Sequence, residues 1–285
     1  MMAIVWVLAI LLIAFVSLFF FLQNKVVKHR PTTFPRKAEV PHAKAIGKIT
    51  ITCTGDSITH GNVSVNYVDM LQRWFGEDFY FYNAGVNSDL SYTLLQRLDD
   101  IIATQPQFIT VLIGTNDVNA TVSPESLKRY RKFRKITPAQ APNFESYKQN
   151  LAQIVDRLTS ETTAKIALLS LPIMGEALDN EANQKADKYS EFIKQLAHQK
   201  HLTYLPLRER MKDFLRQHPK TLKYQYKDTI KLLYTAIIKH EVLGQDWDTI
   251  CKAHGMDLTQ DNLHFNTRGA AMITSLIEKW LKSYR

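Results

Sequence analysis

From Lys48 onward, short apolar runs alternate with longer segments of helical periodicity, and this alternation constrains the fold more than any other feature. The strand-like runs cover residues 49–53, 79–83, 108–113, 165–171 and 202–206. Helical patterns lie near 64–75, 90–104, 144–160 and 182–200, with a last one at 268–283. Strands that alternate with helices form a parallel sheet with helices on both faces, joined by right-handed crossovers. We therefore predict one α/β domain over residues 48–285.

The composition agrees with a folded domain and argues against two other classes of protein. Hydrophobic residues make up 45% of the chain and charged residues 22%, which indicates a globular protein with a sizeable core. The two cysteines do not form a disulfide framework. The pI near 9.4 is compatible with nucleic-acid binding, but no nucleic-acid motif is present. We predict no nucleic-acid partner.

Small and polar residues follow three of the predicted strands and recur in one late loop. The four blocks are Gly55-Asp56-Ser57, Gly85, Gly114-Thr115-Asn116-Asp117 and Asp261-Asn262-Leu263-His264. In open α/β sheets, ligands bind at the carboxyl ends of the strands. We therefore expect the blocks to meet at one edge of the sheet.

Together the blocks contain every group that acyl transfer through a serine requires. Ser57 can be the nucleophile and His264 the general base. Asp261, three residues before His264, can hold the second ring nitrogen and so set the tautomer. The backbone N–H groups of Ser57 and Gly85 and the side-chain amide of Asn116 can form an oxyanion hole. This chemistry calls for no metal and no organic cofactor.

Each residue also has a purely structural interpretation. Ser57 could cap a helix, Gly85 could serve a tight turn, and Asn116 could be a capping or turn residue. For Asp117 we favour this structural role. The occurrence of all four blocks at strand ends favours catalysis for the others.

In their residues and their order the four blocks resemble those of the SGNH (GDSL-type) hydrolases, although the segments between the blocks are long. The resemblance covers roughly residues 48–283. It implies a flavodoxin-like three-layer αβα sandwich with a five-stranded parallel sheet in the order 2-1-3-4-5, and it implies ester hydrolysis. Carried over to this sequence, it gives Ser57 as nucleophile, Gly85 and Asn116 as oxyanion residues, and Asp261 and His264 as the rest of the triad.

The amino-terminal 23 residues differ in kind from the rest of the chain. Residues 2–22 carry no charge, and 21 apolar residues in a helix span about 31 Å, enough to cross a bilayer. A signal peptide is the alternative, but no basic residue precedes the run and no small-x-small site follows it. We predict an uncleaved transmembrane helix over 1–23 and a basic, proline-containing linker over 24–47.

The basic residues beside this apolar run bear on orientation and partners. Seven lysines and arginines lie between residues 25 and 48, against the single acidic Glu39. The positive-inside rule then favours a cytoplasmic catalytic domain, whereas anchored relatives of the family often work outside the cytoplasm, and the side stays open. The same flank could contact anionic lipid head groups.

Two segments between the blocks are long. Residues 119–143 contain six basic residues between 128 and 135, which could dock an anionic lipid or acidic substrate, or form a solvated helix face. Residues 207–258 are rich in aromatic and aliphatic side chains, which could cap the site, although core packing is the more common use of such residues.

We therefore predict a membrane-anchored serine esterase that hydrolyses a carboxylic ester through an acyl-enzyme on Ser57. Its substrate would be a lipid, an acetylated sugar or a thioester. One alternative is an acyltransferase that passes the acyl group to a sugar hydroxyl with the same triad. Another is an inactive, membrane-tethered binding module.

Overall fold

A computed structural model describes residues 5–6, 16–17, 29–35 and 47–284. The chain divides into two compact units, Met1–Arg30 and Pro31–Arg285. The predicted transmembrane helix over 1–23 lies outside the described residues except for positions 5–6 and 16–17. Within the described ranges, no helix has both the length and the apolar character needed to cross a bilayer.

The centre of the second unit is a five-stranded parallel sheet in the order β2-β1-β3-β4-β5. The strands are β1 (Ile49–Gly55), β2 (Phe79–Gly85), β3 (Phe108–Leu112), β4 (Lys165–Leu169) and β5 (Thr203–Leu205). All five predicted strands and the expected strand order are confirmed. The register pairs Gly55 with Gly85 on one side and with Leu112 on the other, so the carboxyl ends of β1, β2 and β3 lie level.

Helices cover both faces of the sheet. Their bounds in chain order are α1 (Ser57–His60), α2 (Tyr67–Phe75), α3 (Ser91–Gln96), α4 (Leu98–Ala103), α5 (Thr115–Val122), α6 (Pro124–Lys132), α7 (Phe144–Glu161), α8 (Glu181–Gln199), α9 (Leu207–Gln217), α10 (Thr229–Glu241), α11 (Trp247–Ala253) and α12 (Thr267–Lys282). The helices predicted near 64–75, 90–104, 144–160, 182–200 and 268–283 are confirmed within a few residues at each end, with a break at Arg97 between α3 and α4.

Alternation along β1 shows how the two faces form. Ile51 and Cys53 point into a core cluster built with α2, α9 and α12. Between them Thr52 faces the other way, where its hydroxyl bonds that of Thr104 at 3.0 Å. A second cluster packs α3, α4, α7 and α8 against the opposite face. The two clusters make the domain a three-layer structure.

The described part of the predicted linker lies against the sheet edge. Thr33 accepts the backbone N–H of Asn83 in β2 through both its carbonyl and its hydroxyl oxygen, each at 3.2 Å. Phe34 is buried, with the guanidinium of Arg97 6.0 Å from its ring centroid. Residues 31–35 therefore pack on the domain beside β2.

The long segment 207–258 forms three helices and a 3₁₀ turn at Tyr226–Asp228. Most of its apolar residues are packed, as expected: Leu207 and Met211 enter the core beneath the sheet, and Leu232 packs with Cys251. Tyr234 and Ile238 of α10 are exceptions, as are Val242 and Leu243 just after it, because 47 to 63% of each residue is exposed.

Candidate active site

Ser57 stands at the junction of β1 and α1. Asp56 precedes the helix and caps it by accepting the N–H of Ile58 at 3.0 Å. The preceding Gly55 has no room for a side chain, because a Cβ there would collide with Thr59 and with the carbonyl oxygen of Leu112. The tight strand-to-helix turn therefore depends on glycine and presents the serine hydroxyl at the carboxyl end of the sheet.

The structure brings the three predicted triad residues together. His264 Nε2 lies 2.8 Å from Ser57 Oγ, and His264 Nδ1 lies 2.7 Å from Asp261 Oδ2. Asp261 is fully buried, and its second oxygen accepts the backbone N–H groups of Leu263 and His264 at 3.0 and 2.7 Å. The carboxylate therefore holds the ring and its backbone together, and orients Nε2 as an acceptor for the serine proton.

Asn116, at the start of α5, lies beside this triad with its amide fixed from both ends. Its Nδ2 donates to the carbonyl oxygen of Asp89 at 2.9 Å. Its Oδ1 accepts the hydroxyl of Tyr130 at 2.6 Å, and that hydroxyl accepts the amide of Asn119 at 3.0 Å. The hydroxyl of Tyr226 in turn donates to Asn119 Oδ1 at 3.1 Å. The hydrogen-bond chain from Tyr226 to Asn116 sets which way the amide N–H groups face.

The backbone N–H of Gly85, which we predicted as an oxyanion donor, already makes a hydrogen bond within the protein. Gly85 N–H is donated to Asn83 Oδ1 at 3.0 Å, and a Cβ at Gly85 would collide with the backbone of Thr59 and His60. Its lack of a side chain thus permits close packing of α1. Three residues later, Ser88 has a left-handed φ of 61°. Ser88 N–H donates no hydrogen bond to any residue that the structure describes, which makes it a second backbone donor to consider.

Three buried aspartates, Asp56, Asp89 and Asp117, lie near Asn116 in the chain or in its hydrogen bonds. Asp89 pairs with Arg97 and Lys135, each at 2.6 Å. Asp117 accepts the backbone N–H and the hydroxyl of Ser91 at 2.9 and 2.5 Å, the structural role expected for it. Burial raises the pKa of Asp117 to about 6.

Asp56 immediately precedes Ser57 in the sequence. Burial raises its pKa to about 7, opposed in part by the hydrogen bond from Ile58 and by the charge of His264. Asn116 Nδ2 lies 3.4 Å from Asp56 Oδ2. Asp56 therefore holds a proton more tightly than a solvent-exposed aspartate does.

The loop that carries Asp261 and His264 is held by a residue from the connection between β4 and α8. Glu176 is buried, and its carboxylate accepts the backbone N–H groups of Asp257, Leu258 and Thr259 at 2.8 to 3.0 Å. Lys220 Nζ lies 3.2 Å from the same carboxylate. Glu176 thus fixes the start of the catalytic loop.

Three residues that support the site were not predicted from the sequence: Asn119, Tyr130 and Glu176. The signal for Tyr130 was present, because it is an aromatic residue within a strongly basic run and is buried in the structure. Glu176 carried no comparable signal. Its partners are backbone groups about 80 positions later in the chain.

A doubly wound parallel sheet with a serine, a histidine and an aspartate hydrogen-bonded in series at its carboxyl edge is an architecture typical of α/β hydrolytic enzymes. The model of the GDSL-like Lipase/Acylhydrolase family matches residues 53–272. The chain belongs to this family and is an ester-hydrolysing enzyme. No curated protein sequence matches it.

Solved structures of similar fold include two acetylxylan esterases and an enzyme from an environmental sample. Axe2, an acetylxylan esterase from Geobacillus stearothermophilus, is 16% identical, with a TM-score of 0.55 over 81% of this chain and 92% of Axe2. The acetyl xylan esterase AlAXEase is 18% identical, with a TM-score of 0.55 over 81% and 98%. LAE5, an alpha/beta hydrolase from the metagenome of Lake Arreo, Spain, is 16% identical, with a TM-score of 0.54 over 81% and 93%. At these identities the similarity establishes the fold.

Proposed function

We propose that this enzyme hydrolyses a carboxylic ester through an acyl-enzyme on Ser57. The observation that carries the proposal is the aligned series from Ser57 Oγ to His264 Nε2 at 2.8 Å and from His264 Nδ1 to Asp261 at 2.7 Å. A nucleophile, its base and the group that orients the base are all within hydrogen-bond reach.

In the first half-reaction Ser57 Oγ bonds to the ester carbonyl carbon while His264 Nε2 takes the hydroxyl proton. The bond to the alcohol then breaks, and His264 returns the proton to the departing oxygen. Water, deprotonated by His264, attacks the acyl-enzyme, and the carboxylic acid leaves as Ser57 regains its proton. Asp261 stays ionised and stabilises the imidazolium that forms twice.

The negative charge on the carbonyl oxygen needs donors in each half-reaction. Asn116 Nδ2 and the backbone N–H of Ser57 are two candidates. The N–H of Gly85 remains the predicted third donor, and that of Ser88 is the alternative, because the Gly85 group bonds Asn83 in the resting enzyme. Loss of one such donor, as in Asn116→Ala, lowers turnover about 10²- to 10³-fold in related chemistry.

Covalent labelling tests the nucleophile directly. A fluorophosphonate probe should label the full-length protein, and Ser57→Ala should abolish the labelling because the attacking hydroxyl is gone. Ser64→Ala removes a buried hydroxyl seven positions away and should label normally. Unchanged labelling of Ser57→Ala would refute the proposed nucleophile.

The substrate class is an ester of a lipid or an acetylated sugar. The fold shared with acetylxylan esterases supports the second choice. A series of p-nitrophenyl esters from acetyl to palmitoyl separates the two, because a sugar deacetylase prefers the shortest acyl chain.

We also propose that residues 1–23 anchor the enzyme in a membrane as a single span. The support is the uncharged apolar run 2–22 and the basic flank that follows it. The side of the membrane that holds the catalytic domain stays open.

A further inference from the structure

Helix α10 exposes a row of large apolar side chains. Tyr234, Ile238, Val242 and Leu243 have 47 to 63% of their surface exposed. Positions 234, 238 and 242 are spaced four apart, so they follow one side of the helix, and Val242 and Leu243 extend the row past its end. In the described part of residues 31–285, only Trp74 and Tyr284 are other large apolar side chains of comparable exposure. The row of four is therefore a concentrated feature, which we call the α10 strip.

A basic helix lies beside this strip. The guanidinium of Arg129 in α6 is 5.5 Å from the ring centroid of Tyr234, so the two helices adjoin there. Lys128, Arg131 and Lys132 share one side of α6 and are exposed. None of the three pairs with an acidic side chain among the described residues. The segment 124–135 contains six basic residues and one acidic residue, Glu125, and of the six basic residues Lys135 pairs with Asp89.

An exposed apolar row next to a basic helix has the two properties of a surface that binds an anionic bilayer. Apolar side chains enter the boundary between head groups and acyl chains, and basic side chains attract anionic lipids. A protein partner or a second copy would also bury the row, but a second copy would bring two strongly basic α6 helices near each other at a cost in repulsion. Charge therefore favours the anionic lipid.

We propose that the α10 strip and the basic side of α6 form a docking surface for anionic phospholipid bilayers. The surface adjoins the active site, because Tyr130 of α6 bonds Asn116, and Asn262 of the catalytic loop donates to Gln225 and Thr229 at the start of α10. Docking would bring the catalytic edge of the sheet close to the lipid head groups. The inference does not depend on turnover.

A fluorescent probe on the strip tests this proposal in the full-length protein. Val242→Cys offers a thiol for an environment-sensitive dye, and the native Cys53 and Cys251 are buried and so protected. The labelled protein is reconstituted into vesicles of phosphatidylcholine, with or without phosphatidylglycerol. We expect a blue shift and weaker quenching by an aqueous quencher only when phosphatidylglycerol is present.

The shift should disappear at high salt, which screens exposed charges, and in the variant K128E/R131E/K132E. Each lost basic residue should weaken the interaction about five-fold. Trp74→Cys, on α2, is the matched control and should respond equally to both vesicles. Leu243→Cys repeats the measurement at a second exposed position.

Three results would overturn the proposal. These are equal emission from Val242→Cys in both vesicle types, a phosphatidylglycerol-dependent shift at Trp74→Cys as large as the shift at Val242→Cys, or a shift that follows protein density in the membrane and thereby indicates a second copy. Because the dye reports contact and not catalysis, the experiment gives the same answer in a Ser57→Ala background. Failure of the proposed nucleophile and failure of the docking surface can thus be told apart.

Discussion

At the residue scale, the two oxygens of Asp261 have separate tasks. One oxygen holds the imidazole of His264, and the other holds the backbone N–H groups of Leu263 and His264. The spacing Asp-x-x-His predicted the contact between the carboxylate and the ring, because three positions form one turn, but it did not predict the contacts of the second oxygen. The hydrogen bond from Tyr130 to Asn116 could not be predicted in this way. Tyr130 lies on another helix, and the local sequence pattern does not determine how that helix packs.

Tyr130→Phe should lower kcat about ten-fold and leave KM nearly unchanged. The substitution removes the donor that holds Asn116 Oδ1, so the amide can turn away from the oxyanion, but the amide itself remains. The loss should therefore be smaller than the 10²- to 10³-fold expected for removing a donor. Steady-state kinetics with a soluble ester measure both constants.

Tyr189→Phe is the matched control, because Tyr189 is buried and its hydroxyl has no hydrogen-bond partner among the described residues. It should have the kinetics of the native enzyme. A Tyr130→Phe enzyme with native kcat would show that the hydrogen-bond chain does not position Asn116.

At the element scale, the strands and the main helices follow their periodicity, which is why their positions were predictable. The conformation of the catalytic loop depends instead on Glu176, which receives three consecutive backbone N–H groups. The segment 257–259 is irregular, so its backbone N–H groups have no partners in a helix or a strand. The buried Glu176 carboxylate accepts them instead. Such a contact between distant segments has no periodic signature in the sequence.

Glu176→Gln should reduce both stability and turnover. The amide keeps one acceptor oxygen but turns an NH₂ group toward backbone donors, so we expect a loss of about 1–3 kcal/mol in the free energy of unfolding. The displaced loop should lower kcat with little effect on KM. Chemical denaturation and kinetics on the same preparation give both quantities.

Asp187→Asn provides the comparison, because Asp187 pairs with Arg208 and Lys212 and makes no recorded contact with the catalytic loop. It should reduce stability without changing kcat. Equal kinetic losses in both variants would mean that Glu176 acts only through global stability.

At the scale of the whole molecule, two apolar clusters enclose the sheet and bury titratable groups at its carboxyl edge. Sequence analysis predicted the layers, because the alternation of strands and helices determines them. The strand order followed from the family resemblance and not from the periodicity. The raised pKa values of Asp56 and Asp117 could not be predicted, because they arise from burial that exists only in the folded domain.

These raised pKa values make stability depend on pH. Between pH about 4 and about 7 native Asp56 keeps a proton that the unfolded chain releases, so the free energy of unfolding falls as pH rises through this window. In Asp56→Asn the free energy of unfolding should fall less steeply with pH. The raised pKa of Asp117 should account for part of the remaining fall. Denaturant unfolding at several pH values measures the slope.

Asp246→Asn serves as the control for this slope. Hydrogen bonds from Thr249 lower the pKa of Asp246, so its ionisation affects stability with the opposite sign. This variant should retain the decline between pH about 4 and about 7. If the free energy of unfolding of Asp56→Asn falls with pH as steeply as that of the native protein, the fall arises from other groups.

The nucleophile and its base are 207 positions apart in the chain. During synthesis, the serine leaves the ribosome long before the histidine has been translated. A nascent chain that has folded only its first strands therefore holds an unactivated hydroxyl. On the proposed mechanism, acylation of Ser57 therefore begins only after His264 has been translated.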